Sequence, residues 1–202
     1  MKPRKLFFMA GLALAALASS QASAAVVTGF SSAPGNTYTD YSAAGLVSFD
    51  LNLVQSLPAA TIFDFTIETG DLGGSLLFNA FVNNLFGSGI SRFELILSNA
   101  TFDFIGSVNA PFEPGAVASG SGSIVTISFP SPDEFGFAIG DPFASGFPEQ
   151  NWRINIGSLA VGDSFSLRME VPEPGSLALL IAALAAAGVA TRHSSSRHRQ
   201  AV

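Results

Sequence analysis

The chain has 202 residues, 48% of them hydrophobic and 12% charged, with a formal net charge of -6. Lys2, Arg4, Lys5, Arg192, Arg197 and Arg199 hold six of the nine basic charges at the ends, so the stretch from Ala25 to Val171 sets fourteen acids against Arg92, Arg153 and Arg168, a net -11. A surface that acidic repels phosphate backbones and excludes nucleic acid as a partner; with no cysteine, disulfide scaffolds, thiolate zinc sites and thiol catalysis are excluded too.

The first 24 residues, MKPRKLFFMAGLALAALASSQASA, have the three parts of a secretory signal. Lys2, Arg4 and Lys5 give the positive start, Leu6 to Ala18 the apolar core, and Ala22-Ser23-Ala24 the small-x-small cleavage pattern. Cleavage is expected after Ala24. The apolar core is short for a membrane span, which argues against an uncleaved anchor.

From Ala25 to Val171 the dominant signal is period-two alternation, the mark of strands with one buried face. In chain order the clearest segments are Val47–Leu53, Phe63–Ile67, Phe93–Leu97, Val125–Phe129 and Phe165–Val171. Shorter candidates are Thr101–Ile105, Phe135–Ile139 and Trp152–Ile156. Leu77, Phe78, Phe81, Val82 and Leu85 have helical spacing, yet Leu76, Phe78, Ala80 and Val82 also alternate. Asn79, Asn83 and Asn84 are poor helix formers, which favours a strand. Turns are expected at Thr69-Gly70-Asp71, Asn109–Gly115, Pro130–Asp133, Gly140-Asp141-Pro142 and Gly162-Asp163. The expected fold is all-β: a single antiparallel β-sandwich over residues 25–171, jelly-roll or Ig-like. An N-terminal signal helix and a C-terminal transmembrane helix flank it. Few long charged side chains guard its edge strands, which favours self-association.

The chain closes on Pro172-Glu173-Pro174, then an uncharged Leu- and Ala-rich run, 175–191, then Arg192, Arg197 and Arg199. Such a run reaches the lower limit for crossing a bilayer core of about 30 Å, and the arginines behind it favour the cytoplasmic side. This order of features resembles the PEP-CTERM sorting signal of Gram-negative bacteria, over roughly Val171 to Arg199. The resemblance implies export, a transient hold in the inner membrane, and recognition by an exosortase, a membrane-embedded cysteine transpeptidase that cuts near the Pro-Glu-Pro. It also implies a setting of exopolysaccharide and biofilm or floc matrix. The polar end from Ser194 to Val202 is longer than the usual few basic residues. A plain anchor that stays uncut is the alternative.

Both histidines, His193 and His198, follow the apolar run, so the region before it has neither His nor Cys. A Ser-His-Asp triad, a Cys-His pair and a histidine metal site are therefore impossible there, and no catalytic residue or cofactor is assigned. Glycoside hydrolysis needs only two carboxylates, and the nearest pairs are Glu68 with Asp71, Asp133 with Glu134, and Asp141 with Glu149. None has a spacing that fixes such geometry. Asp133-Glu134 and Gly140-Asp141 are loop acids that could serve calcium, but the EF-hand pattern is absent. Trp152 alternates with Ile154 and Ile156 and reads as core, whereas Tyr38 and Tyr41, in the polar stretch NTYTDYS, are candidate glycan contacts.

The expectation is an exported, non-enzymatic cell-surface or extracellular-matrix protein. It would be handled by signal peptidase, the export machinery and an exosortase, with exopolysaccharide as a candidate partner. The alternative is a secreted carbohydrate-binding module or a carboxylate-only glycoside-active domain.

Overall fold

The structure, a computed structural model, describes residues 25–55, 60–144, 150–157 and 159–172. Ala22 and Ala24 of the signal, Glu173 and Pro174 of the sorting motif, the run 175–191 and Arg192, Arg197 and Arg199 lie outside the described residues. Among the described residues no helix is long and apolar enough to cross a membrane. They form thirteen strands and one 3-10 turn, Thr69–Asp71.

Two sheets share one core. The first takes its strands in the order β1 (Val26–Ser31), β4 (Thr61–Thr66), β13 (Ser164–Glu170), β6 (Ile90–Ser98), β10 (Ile124–Asp133) and β9 (Val117–Ser121). Every pairing in it is antiparallel. The second runs β2 (Thr37–Asp40), β3 (Leu46–Leu53), β5 (Ser75–Asn84), β11 (Gly136–Ile139) and β8 (Val108–Asn109). Along its far side β5 pairs first with β12 (Trp152–Asn155) and then with β11, and β12 also pairs with β7 (Thr101–Phe104).

One expectation needs correction: the architecture is not purely antiparallel, because β3 and β5 pair in parallel from Leu46↔Leu77 to Leu53↔Asn84. The cause is connectivity. After β3 the chain crosses to the first sheet as β4 and returns to the second as β5. A strand in the opposite sheet thus serves as the crossover that parallel neighbours need.

The alternation is read out as expected. Val47, Phe49, Leu51 and Leu53 point inward, as do Leu76, Phe78, Ala80 and Val82, so the ambiguous asparagine-rich segment is a strand. Phenylalanine joins the layers: Phe49 stacks on Phe63 at 4.3 Å, and Phe137 meets Phe93 at 5.2 Å and Phe129 at 4.9 Å. Trp152 is buried, as its alternation predicts, edge-on to Phe78 and Phe102, and its indole N–H donates to the Ser107 carbonyl at 2.9 Å. Each ring so buried stabilises the fold by about 1.5–3 kcal/mol over an exposed one.

Other departures have local causes. The turn expected at Pro130–Asp133 is a continuation of β10, whose register against β6 shifts between Ser128 and Asp133. Pro130 and Pro132 have no N–H to give a ladder, so the strand survives there only as a bulge. The turn falls after Asp133 instead, and Gly136 enters β11 at φ +136°, where a Cβ would lie 2.3 Å from the Val82 carbonyl oxygen. The last strand ends at Glu170, one residue short of Val171, which packs half-buried against the core.

Candidate functional site

The inner positions of the second sheet fix what its outer face carries. Because Tyr38 pairs with the inward Leu51, it too turns inward: its ring lies 4.5 Å from Phe30 and 5.3 Å from Phe63. Tyr38 is therefore a half-buried core residue and is dropped as a candidate glycan contact. Tyr41, three positions on, takes the opposite parity. Its amide donates to the Ser48 carbonyl at 2.8 Å, extending the β2–β3 pairing, and the residue is 56% exposed.

The outer face beside Tyr41 is polar and continuous across three strands. Asp50 of β3 faces Thr39 of β2 and Phe81 of β5. One step along, Asn83 donates to Asn52 at 2.8 Å and Asn52 to Thr37 at 3.2 Å, a row of side chains that crosses β5, β3 and β2. The Asp50 carboxyl is held above its usual range by desolvation, and the Tyr41 hydroxyl within its reach partly offsets this.

The segment after β11 walls this face. Asn79, an outward position of β5, is buried because the chain folds over it. Its amide donates to the Asp141 carbonyl at 3.3 Å and to Asn151 at 3.2 Å, and Asn151 accepts from the Asp141 amide at 2.7 Å. This pins the two ends of the connection between β11 and β12 to the sheet. Phe143, 68% exposed, leans on Phe81 at 5.2 Å between ring centres. Tyr41 on the β2 side and Phe143 on the β5 side thus border the row of Asp50 and Phe81, and Asn52 and Asn83 form the next row along the same face.

The two carboxylate pairs named from sequence that lie within the described residues, Glu68 with Asp71 and Asp133 with Glu134, do not face one another across a cleft. Asp71 is buried and structural: its Oδ1 accepts from the Gly45 amide at 3.1 Å and its Oδ2 from the Glu68 amide at 2.9 Å, which closes a capping box on the 3-10 turn. Asp133 is fully buried at the end of β10, beside the exposed Glu134. Neither of its carboxylate oxygens makes a well-formed hydrogen bond. Desolvation raises its pKa, the nearby Gly136 and Phe135 amides temper the rise, and the charge of Glu113 adds to it. Asp141 is held through its backbone, and Glu149 lies outside the described residues. Among the described residues no three acids or histidines gather as a metal site would require.

A shallow pocket of about 600 Å³ opens at the opposite end of β12, lined by Leu97, Asn99, Thr101, Asn155 and Leu159 among others. None of its lining residues is titratable, and its amides serve the fold: Asn99 donates to the Ser164 carbonyl and Asn155 accepts from the Gly157 amide. It offers neither an acid nor a base.

Of the two tyrosines named from sequence, the fold keeps Tyr41 at the surface. Asp50, Asn52, Phe81, Asn83 and Phe143 join it. The sequence signal for Asp50 and Asn52 was their outward phase in the Val47–Leu53 alternation; the parallel β3–β5 pairing that places Asn83 beside Asn52 left none. No family model, no curated protein and no solved structure matches this chain.

Proposed function

We propose that the chain is an exported, non-enzymatic protein of the cell surface or extracellular matrix, built as a β-sandwich of jelly-roll or Ig-like type. The precursor loses residues 1–24 and is held in the inner membrane by 175–191, with Arg192, Arg197 and Arg199 inside. An exosortase then acts at Pro172-Glu173-Pro174. One observation supports this order of events. The last strand ends at Glu170, and the first residue of the motif, Pro172, follows two positions later. Every strand among the described residues therefore precedes the motif, and a cut there removes none of them from either sheet.

The test is fractionation of cells carrying an epitope within residues 25–171, with mass spectrometry of the mature termini. The expected mature chain starts at Ala25 and ends near Pro172–Pro174. An intact chain recovered from the cytoplasm would sink the proposal.

A second reading, carbohydrate binding, is favoured by the outer face of the second sheet, where exposed Tyr41 and Phe143 border Asp50, with Asn52 and Asn83 in the next row. The glycoside-active form of that reading gains no support, since Asp71 is buried in the 3-10 turn and Asp133 at the end of β10.

A further inference from the structure

We propose that the outer face of the second sheet binds an uncharged, hydroxyl-rich polysaccharide, with Tyr41 and Phe143 as stacking surfaces and Asp50, Asn52 and Asn83 as hydroxyl partners. This rests on the carbohydrate reading above and goes beyond it by assigning the charge class of the ligand and the residues that hold it.

The side chains suit a sugar ring. A pyranose offers an apolar C–H face and a rim of hydroxyls that both donate and accept. Exposed aromatic rings take the first; carboxylates, which accept, and primary amides, which accept and donate, take the second in fixed planar geometry. Tyr41 and Phe143 are two of the most exposed rings among the described residues. Between them Asp50 can accept from hydroxyls, a charge-assisted bond stronger than a neutral one. The Asn83–Asn52–Thr37 row keeps those amides in one orientation before any ligand arrives, so little side-chain freedom is lost on binding.

Charge decides the class of polysaccharide. All three arginines of the described residues are committed to carboxylates: Arg92 to Glu94 at 2.6 Å, Arg168 to Glu170 at 2.7 Å, and Arg153 to Asp103 at 3.4 Å, with Arg153 also 5.2 Å over the Phe104 ring. No lysine lies between Ala25 and Val171, and that region carries a net -11. A uronate, sulfated or phosphorylated chain would approach a like-charged face with no cation left to neutralise it. An uncharged chain meets no such barrier, and its binding would not respond to screening by salt.

The test is affinity electrophoresis of the full-length chain, in a detergent without a sugar headgroup, through gels containing hydroxyethylcellulose, dextran, mannan or alginate. The expected result is retardation by at least one neutral polymer, unchanged when sodium chloride is raised tenfold, and none by alginate. Tyr41→Ala, Phe143→Ala and Asn83→Ala should each weaken it about tenfold, the loss of one contact of roughly 1.4 kcal/mol. Asp50→Asn, which keeps the shape, should weaken it less than Asn83→Ala. Thr126→Ala, on the outer face of the other sheet, should leave it unchanged. Retardation by alginate that fades with salt would overturn the ligand class while leaving carbohydrate binding in place. Neutral binding that survives Tyr41→Ala and Asn83→Ala would overturn the site. Retardation by none of the four polymers would overturn the ligand class and the carbohydrate reading together.

Discussion

Asp71 offers a sharp test of how the loops are held, because a single buried side chain ties two of them. Its carboxylate accepts from the Gly45 amide, in the β2–β3 turn, and from the Glu68 amide, at the entry to the 3-10 turn. Asp71→Ala leaves both amides without a partner in a site that is 1% exposed. Each orphaned donor costs about 1–3 kcal/mol, so the expected loss is about 2–6 kcal/mol, a large fraction of the roughly 5–15 kcal/mol that holds a domain folded. Asp71→Asn keeps one acceptor and turns its NH2 toward the other amide, so it should lose about 1–3 kcal/mol. Urea unfolding measures both: the midpoint should fall in the order wild type, Asn, Ala with the slope unchanged. Hydrogen exchange of the Gly45 and Glu68 amides should accelerate in Asp71→Ala while those of β13 keep their order of protection. A loss below about 1 kcal/mol for Asp71→Ala would refute the reasoning, since water would then be serving the Gly45 and Glu68 amides as well as the carboxylate does.

Phe63 touches Phe30, Tyr38, Phe49 and Phe65 across both sheets, so Phe63→Ala should cost about 3–5 kcal/mol in urea unfolding. Arg92→Ala breaks an ion pair with an exposed arginine and should shift stability by no more than about 1 kcal/mol in the same assay. Asp133 has a folded-state pKa raised above 3.8, so the stability it contributes is complete below that value and is lost as pH rises through the raised one. Asp133→Asn cannot ionise, and thermal unfolding should find it more stable than wild type at pH 7, with the gap closing as pH falls toward 3.8.

What could be read from the sequence is what depends on near neighbours. The inward set of β3 follows from alternation in Val47–Leu53, and Trp152 announces its burial by its phase with Ile154 and Ile156. β1 and β2 are harder. VVTGFS begins with two adjacent valines and holds Gly29 where the register against β4 slips, which blurs the period of two. TYTD offers one apolar side chain, Tyr38, and its burial comes from Phe30 and Phe63, which are distant along the chain. Polar composition therefore pointed to exposure for both tyrosines, and parity separated them. The candidate face was the least legible part. Its residues come from β2, β3, β5 and the segment after β11, and what assembles them is the crossover that sets β3 parallel to β5.

The two outer faces also differ in what they leave free, and this argues for where a ligand sits. On the first sheet, polar side chains largely answer one another. Arg92 is spent on Glu94 and Arg168 on Glu170. The Asp64 carboxylate accepts from the Ser166 hydroxyl at 2.6 Å, and Thr66 bridges toward Thr28 and Ser164. A ligand landing there must break existing contacts to make its own. On the second sheet one hydrogen bond orients the Asn83 amide and two orient that of Asn52, and both keep further donors and acceptors. Asp50 has the Tyr41 hydroxyl within reach but no arginine paired with it, and Phe143 leaves most of its surface to solvent. Binding on that face adds contacts without first dismantling any, which is the energetic condition for a useful affinity on a shallow surface. A domain with the pairing of the first sheet on both faces would be a passive wall; here the second sheet keeps donors and acceptors unspent on its outer face, and that asymmetry is the ground for the binding side proposed above.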